Sequence, residues 1–521
     1  MAEICVASHH NSISELLGDA EFRLLAPRAG FLIELRLDFY SDISAASLRV
    51  ALEIFAPNCV VTFRHPDEGG RNPRVSDAER VAFLQQAADA GARYIDIEAR
   101  TPRQTFKKGR AQVILSFHDF NAVPEQAQLR ERFAAMSADA GADVVKIACT
   151  PQTMLDSARL LDLLITARDT NRSAIVLGMG EFGLWTRVCG PLFGSPFTYA
   201  RGEGAPGTAP GQLTWRELDT LYRFRKIQRG WPVYGVIGNP IAHSLSPLLH
   251  NTALSMMNLD GVYLPFKVDG DPAEFVRAFS PLGLRGLSVT IPHKETVGAV
   301  CGEIDAVSAA IGAVNTLVWR SEPSVQLKTQ NSKLKTILGA NTDAFAAAKA
   351  LEQACGTLKG KTVLILGAGG AARAVAFGVR QLGAKVLIAN RTRERAEALA
   401  RAAQATPIAL TEIAAPHIGR IDAIVNTTPL GMHPKIDASP LEKDIIPQGS
   451  IVFDTVYNPL RTQLLKLAAE RGCKTLEGWV MFVGQGLRQF ELWTGKQAPR
   501  ELLEQTILSE LQKRQGPSGS G

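Results

Sequence analysis

Short β-branched runs separated by helix-forming stretches constrain this chain more than any other feature. They read "EICVAS" from Glu3, "FLIELRLDF" from Phe31, "CVVTFR" from Cys59, "YIDIEA" from Tyr94, "QVILSFHDF" from Gln112, "VVKIAC" from Val144, "AIVLGM" from Ala174 and "PFTYA" from Pro196. Between most of them lie segments with helical spacing, such as "SDAERVAFLQQAADAGA" (Ser76 to Ala92) and "ERFAAMSADAGA" (Glu131 to Ala142), each with a glycine at its close. Strand alternating with helix eight times predicts a (β/α)8 barrel.

In such a barrel the chemistry collects where the strands end. Glu34 and Arg36 stand on the second run, Arg64 on the third, Glu98 on the fourth, His118 on the fifth and Lys146 on the sixth. A lysine inside the apolar run "DVVKIACT" is expensive to bury charged, so Lys146 is either salt-bridged or a reactive amine. His118 on the neighbouring strand and arginines able to hold a carboxylate make a Schiff-base site plausible. A core histidine at His118, and acids that merely neutralise Lys146, remain the alternative.

The segments "ELRLD", "TFRHPDEGG", "YIDIEA", "SFHDF", "VVKIACTPQ", "TRVCGPLFGSPFTYA" and "TAPGQL" follow one another over roughly residues 1 to 226. Together and in this order they resemble type I 3-dehydroquinate dehydratase. The resemblance implies that Lys146 forms an imine with the ketone of 3-dehydroquinate, that His118 moves protons, and that Glu98 orients and polarises His118. It implies further that Arg187 and Arg64 grip the substrate carboxylate, and that Glu34, Arg36, Gln212 and Thr208 meet the rest of it. Thr208 stands where the family more often has serine.

From Thr214 to Gln228 the chain reads "TWRELDTLYRFRKIQ", which predicts a helix, and "RGWP" then breaks it. Further on, "KTVLILGAGGAARAVAFGV" is a β-rich run, a turn of small residues and a helical pattern. That is the arrangement in which backbone amides and a helix N-terminus approach a pyrophosphate. The next strand ends in Asn390, Arg391 and Thr392, where an acid would serve a ribose hydroxyl; arginine suits a 2'-phosphate and favours NADP. A solvated helix start holding Arg391, Arg393 and Arg395 explains the charge but not the missing acid.

"GNPIAHSLSPLLHN", "LSVTIPHKE", "IGAVNTL", "GANTDAF", "NTTPLGM", "DTVYNPL" and "EGWVMFVGQGLRQFELWTG" surround that turn, from about Val233 to the mid-490s. This set resembles shikimate dehydrogenase. The resemblance implies Ser244 and Ser246 on the substrate carboxylate, Thr290, Asn315 and Gln485 on its hydroxyls, Tyr457 also at the substrate, and Lys294 with Asp343 as the catalytic pair. It implies Gly367, Ala368, Gly369, Gly370, Ala371, Asn390, Arg391, Thr392, Arg395, Thr427, Gly478 and Met481 at the cofactor. Gly486 stands where the family usually has alanine, and Ala346 where glycine is frequent.

The expected fold class is therefore α/β: a barrel over 1–228, then a two-lobed α/β dehydrogenase. Its substrate-binding domain spans 229–345, completed by C-terminal helices over about 476–513, and its Rossmann-type NADP domain spans 346–475. A length of 521 residues accommodates these several cores. Since the product of the first reaction, 3-dehydroshikimate, is the substrate of the second, the two resemblances together imply a bifunctional enzyme of aromatic-precursor biosynthesis that ends at shikimate. A quinate-preferring dehydrogenase and a non-catalytic metabolite sensor are the competing readings; the presence of Lys146, His118, Lys294 and Asp343 speaks against the sensor.

The seven cysteines form no C-x-x-C pair, and the histidines lack metal-ligand spacing, so neither a disulfide framework nor a metal is expected. No apolar run reaches membrane length, and the net charge of +6 is spread out, so small anionic molecules are expected as partners rather than a membrane or nucleic acid. "MAEICVASHH" lacks the pattern of an export signal, which predicts a cytoplasmic protein, or a stromal one if a transit segment has been removed. The tail "GPSGSG" is expected to be disordered.

Overall fold

The computed structural model describes residues 1–72, 74–320 and 337–515; the tail "GPSGSG" lies outside them. The chain divides into two compact units, Met1–Val233 with Asp260–Leu284, and Tyr234–Leu259 with Arg285–Gly521.

In the first unit the eight expected runs form β1 (Glu3–Ala7), β2 (Phe31–Arg36), β3 (Cys59–Thr62), β4 (Tyr94–Glu98), β5 (Gln112–Asp119), β6 (Val144–Cys149), β7 (Ala174–Gly178) and β8 (Phe197–Ala200). They make one sheet in the order β7-β6-β5-β4-β3-β2-β1-β8, every pairing parallel, which is the strand sequence of a nearly closed (β/α)8 barrel. Its helices begin as the sequence suggests: Ser76 and Thr153 close capping boxes with Glu79 and Asp156.

Alternation along the strands builds the interior in layers. Leu32, Val60, Tyr94, Ile114 and Val144 belong to one buried cluster. Two residues further along the same strands stand Glu34, Thr62, Asp96, Ser116 and Lys146, on the same side of the sheet, each buried. The hydrophobic floor thus passes directly into a polar layer.

The helix expected over Thr214–Gln228 does not form as one element. A π-helical turn covers Glu217–Leu221 and a short 3-10 turn Phe224–Lys226, with Arg223 between them at φ 52°. Arg223 is buried, donates to the Gly261 carbonyl at 3.0 Å and lies over the Trp231 ring. These tertiary contacts outweigh local helix propensity. The same unit holds β10 (Val262–Lys267) and the helix Pro272–Phe279, whose Phe279 meets Trp185 edge-on at 5.4 Å.

The second unit contains two sheets. One has β9 (Val233–Gly238), β11 (Leu284–Val289), β13 (Thr316–Trp319), β14 (Ile337–Ala340) and β12 (Glu303–Ile304) as successive neighbours. The other is parallel throughout: β15 (Thr362–Leu366), β16 (Lys385–Ala389), β17 (Thr406–Ile408), β18 (Ala423–Asn426), β19 (Ile451–Asp454) and β20 (Lys474–Leu476), in the order β17-β16-β15-β18-β19-β20. That order is 3-2-1-4-5-6, the doubly wound arrangement, with an apolar cluster on each face. The helices Thr342–Cys355 and Trp479–Thr494 cross where Gly484 faces Ala346: a methyl on Gly484 would lie 3.3 Å from the Ala346 Cβ. The alanine at 346 is thereby accommodated. Gly486 faces Leu249, whose nearest methyl would lie 3.0 Å from an added Cβ, so alanine there would require a small shift.

Candidate functional sites

A cavity opens at the C-terminal ends of the barrel strands, lined among others by Glu34, Arg36, Arg64, Glu68, His118, Lys146, Arg187, Thr208 and Gln212. Lys146 is buried, donates to Asp96 Oδ2 at 2.9 Å and lies 4.1 Å from the centre of the Tyr199 ring. Asp96 also accepts from Arg64 at 2.9 Å and from the Ser116 hydroxyl at 2.6 Å. Burial alone would raise the carboxyl pKa of Asp96, but the Arg64 and Lys146 cations hold it well below the ordinary range. His118 is pushed far below its usual pKa, first by burial and then by Arg64 and Lys146, which holds its imidazole in the neutral form.

Glu98, expected beside His118, is committed elsewhere. One of its oxygens accepts from Arg64 and from the His65 amide, the other from Arg80 and Thr101. The reason is register: Glu98 pairs with Ser116, a full strand repeat before His118. The carboxylate on His118 is that of Glu68, whose Oε2 lies 3.0 Å from both the ring Nδ1 and the backbone N–H of His118. Burial pushes the Glu68 carboxyl up to about 7 against the pull of Arg64. Glu68 lies inside "TFRHPDEGG" but in the turn after β3, not on a strand, so reasoning from strand ends alone passes over it.

Arg64, expected at a substrate carboxylate, already bonds Asp96, Glu98 and Ser116. Arg187 differs: it is fully buried, it donates to the Pro210 carbonyl at 3.0 Å, and its Nε finds no partner among the described residues. Burial pulls its pKa down to about 10. A buried guanidinium facing a cavity without a carboxylate partner among the described residues is a receptor for an anion. Arg36 is held in a fork by Asp38, Glu34 accepts from Thr62, and Thr208 and Gln212 bond each other.

In the second unit, Lys294 Nζ donates to Asp343 Oδ2 at 2.7 Å, the lysine partly exposed and the aspartate buried. The Lys294 carbonyl accepts from the Val314 amide, and Asn315 bonds Thr342, the residue before Asp343. Gln489, which sequence reasoning missed, braces this corner: it donates to the Asn315 carbonyl and Thr316 hydroxyl and accepts from Ser288. Ser244 Oγ accepts from the Ser246 amide at the start of the helix Ser246–Met256. Thr290 packs against Gly238, where an added Cβ would lie 2.3 Å from its methyl. Gln485 donates to the Phe482 carbonyl, and the Tyr457 ring lies 5.1 Å from that of Phe482.

The Gly-rich turn fits a dinucleotide. Gly367 has φ +114°, and a Cβ there would lie 2.6 Å from Thr427 Oγ1. Gly369 and Gly370 face open space, and among the described residues no side chain caps the start of the helix Gly370–Gln381, leaving its first amides for a ligand. Ala368 and Ala371 complete the turn. Beyond β16, Asn390 bonds back to the Thr392 carbonyl. Arg393 pairs with Glu397, whereas among the described residues no carboxylate pairs with the exposed Arg391 or Arg395. Gly478 lies against the carbonyls of Thr455 and Val456, and Met481 is buried one turn on. No group of three or more potential metal ligands occurs among the described residues, nor does a helix long and apolar enough to cross a membrane.

Residues 4–229 match the family described as Type I 3-dehydroquinase, residues 236–317 the Shikimate dehydrogenase substrate binding domain, residues 349–451 Shikimate / quinate 5-dehydrogenase, and residues 478–508 the Shikimate 5'-dehydrogenase C-terminal domain. A chloroplastic bifunctional 3-dehydroquinate dehydratase/shikimate dehydrogenase of Arabidopsis thaliana is 36% identical over 91% of this chain and 79% of its own length. A shikimate dehydrogenase (NADP(+)) of Bacillus cereus is 39% identical over 54% of this chain and 98% of its own. A Thermus thermophilus shikimate 5-dehydrogenase solved with NADP(H) and shikimate is 33% identical, covers 53% of this chain and 98% of its own, and superposes with a TM-score of 0.47. With a polar barrel mouth in one unit and a doubly wound sheet carrying a dinucleotide turn in the other, this chain belongs to the family of bifunctional 3-dehydroquinate dehydratase/shikimate dehydrogenases.

Proposed function

We infer that the chain is a bifunctional enzyme of the shikimate pathway, a lyase that dehydrates 3-dehydroquinate to 3-dehydroshikimate and an NADP-dependent oxidoreductase that reduces 3-dehydroshikimate to shikimate. The observation that carries the reading is that a lysine donates to an aspartate at each candidate site, Lys146 to Asp96 at the barrel mouth and Lys294 to Asp343 in the second unit.

In the barrel, the Lys146 ammonium passes one proton to His118, its free Nζ attacks the ketone carbon, and return of that proton to the ketone oxygen lets it leave as water, giving a protonated imine. The cation then acidifies the adjacent C–H, because the electron pair left behind is delocalised as an enamine. His118, neutral and braced by Glu68, takes that proton and returns one to the departing hydroxyl. Hydrolysis of the imine frees the product and the lysine, for a net loss of one water. Arg187 holds the substrate carboxylate; Arg64 tensions the Asp96–Glu98 network, and Glu34, Arg36, Thr208 and Gln212 meet hydroxyls. Glu98 supports Arg64 and Arg80 rather than His118.

In the second unit, NADPH when bound supplies the hydride. Lys294 stabilises the oxygen of the reacting carbonyl and delivers its proton, while Asp343 fixes the amine. Ser244 and Ser246 hold the substrate carboxylate; Thr290, Asn315, Tyr457 and Gln485 orient the ring. Residues 367–371 with Thr427, Gly478 and Met481 hold the dinucleotide, and Asn390, Arg391, Thr392 and Arg395 its 2'-phosphate end. The domain limits 1–228, 229–345 and 346–475 are part of this reading. One assay tests it: 3-dehydroquinate and NADPH together, followed for enone absorbance and cofactor oxidation. Appearance of the enone without oxidation, or neither signal, would overturn it.

A further inference from the structure

Three parallel strands end side by side in the dinucleotide sheet: Leu366 closes β15, Asn426 closes β18 and Asp454 closes β19, with Leu366 opposite Asn426 and Asn426 opposite Asp454. Asp454 and Asn426 are both fully buried, and among the described residues no cation pairs with Asp454. Burying a carboxylate with only neutral partners is costly, and burial pushes this one up to about 6 despite three hydrogen bonds. A carboxylate retained at such a place needs an account beyond packing.

Its bonds run to two turns. Asp454 Oδ1 accepts from Asn426 Nδ2 at 2.9 Å and from the Val456 amide at 3.0 Å, while Oδ2 accepts from Thr462 Oγ1 at 2.6 Å. An ionised carboxylate only accepts, so it forces the NH2 of Asn426 toward itself and the amide oxygen away. That oxygen accepts from the Thr428 amide at 3.0 Å and from the Thr428 hydroxyl at 2.7 Å. Thr427, one residue earlier, donates through both N–H and Oγ1 to the Leu366 carbonyl and fills the space beside Gly367. On the other side, Thr455 donates twice to the Asn426 carbonyl, and the Thr455 and Val456 carbonyls press on Gly478.

We propose that Asp454 is a positioning residue of the dinucleotide pocket, acting through the Asn426 amide to hold the Thr427–Thr428 turn against the Gly-rich turn. It touches neither substrate nor cofactor. The proposal rests on the reading of residues 367–371 as the cofactor site and adds the device that keeps that site in shape.

The test measures NADP+ binding directly by calorimetry on the full chain, with thermal unfolding and dehydratase activity alongside. Asp454→Ala should weaken NADP+ binding about tenfold, which is about 1.4 kcal/mol. Asp454→Asn, which keeps an acceptor for Asn426 and a partner for Thr462, should stay within about threefold of the unmodified protein. Because the effect passes through Asn426, Asp454→Ala should add nothing further to the loss caused by Asn426→Ala. Equal NADP+ affinity in Asp454→Ala and the unmodified protein, or additive losses in the double variant, would overturn the proposal. If Asp454→Ala fails to fold, the two arms are compared instead: Thr428→Val should weaken NADP+ binding several-fold, and Thr462→Val should lower the unfolding temperature without changing affinity. Equal effects of those two on affinity would overturn it. An unmodified protein that binds no NADP+ would sink the cofactor assignment itself, a distinguishable result.

Discussion

Replacing Glu68 by glutamine should make the barrel more stable at pH 8 and the dehydratase slower. The Glu68 carboxyl rises from 4.5 to about 7 on folding, chiefly through burial. A group raised in this way contributes its full stability below the unfolded pKa and loses it as pH passes through about 7, so at pH 8 the folded barrel carries a cost of up to about 3 kcal/mol. Glutamine removes the charge but keeps one acceptor for the His118 amide; the weaker bonds to His118 return about 1 kcal/mol of that gain. A net stabilisation of about 1 to 2 kcal/mol should raise the barrel's unfolding temperature by roughly 3 to 6 °C at pH 8 and leave it nearly unchanged at pH 4.5. Calorimetric scans of the full chain at both pH values read this directly. Catalysis should move the opposite way. With no carboxylate to brace the ring, kcat/KM for 3-dehydroquinate should fall about 10- to 100-fold, and the rise in rate between pH 6 and 8 that follows Glu68 ionisation should disappear. A variant destabilised at pH 8, or one whose pH profile keeps the unmodified rise, would refute the argument.

Lys146→Ala should abolish dehydration and the adduct trapped by borohydride in the presence of 3-dehydroquinate while leaving shikimate oxidation near normal; Lys294→Ala should do the reverse, since the two lysines belong to different units. Paired steady-state assays decide this. The enzyme should prefer NADPH to NADH, and Arg391→Ala should narrow that preference roughly tenfold through loss of a charge-assisted bond. Arg393→Ala should leave it unchanged, because Arg393 is already paired with Glu397 at 3.0 Å. Gly367→Ala places a Cβ 2.6 Å from Thr427 Oγ1 on a backbone with φ +114°. It should destabilise the dehydrogenase unit by about 2 to 4 kcal/mol and remove NADP+ binding, with dehydration intact.

Periodicity determined the barrel, whereas the dehydrogenase architecture was legible only through its motifs and the family they resemble. Eight β-branched runs alternating with helices specify a barrel because side chains alternate along a strand, and that alternation also places Glu34, Lys146 and Asp96 on one polar layer above an apolar floor. The Gly-rich turn was equally legible, since a backbone at φ +114° tolerates little but glycine. Partnership between side chains distant in sequence was not. Glu98 and Glu68 are both acids near strand ends, and only the register of β4 on β5 with the path of the turn after β3 assigns Glu98 to the arginines and Glu68 to His118. The break at Arg223 depends on a carbonyl and a tryptophan elsewhere in the same unit, against the local preference for helix. A sequence states which groups a chain carries and their local period; which carboxylate meets which cation depends on distances of a few ångströms that exist only once the strands have paired.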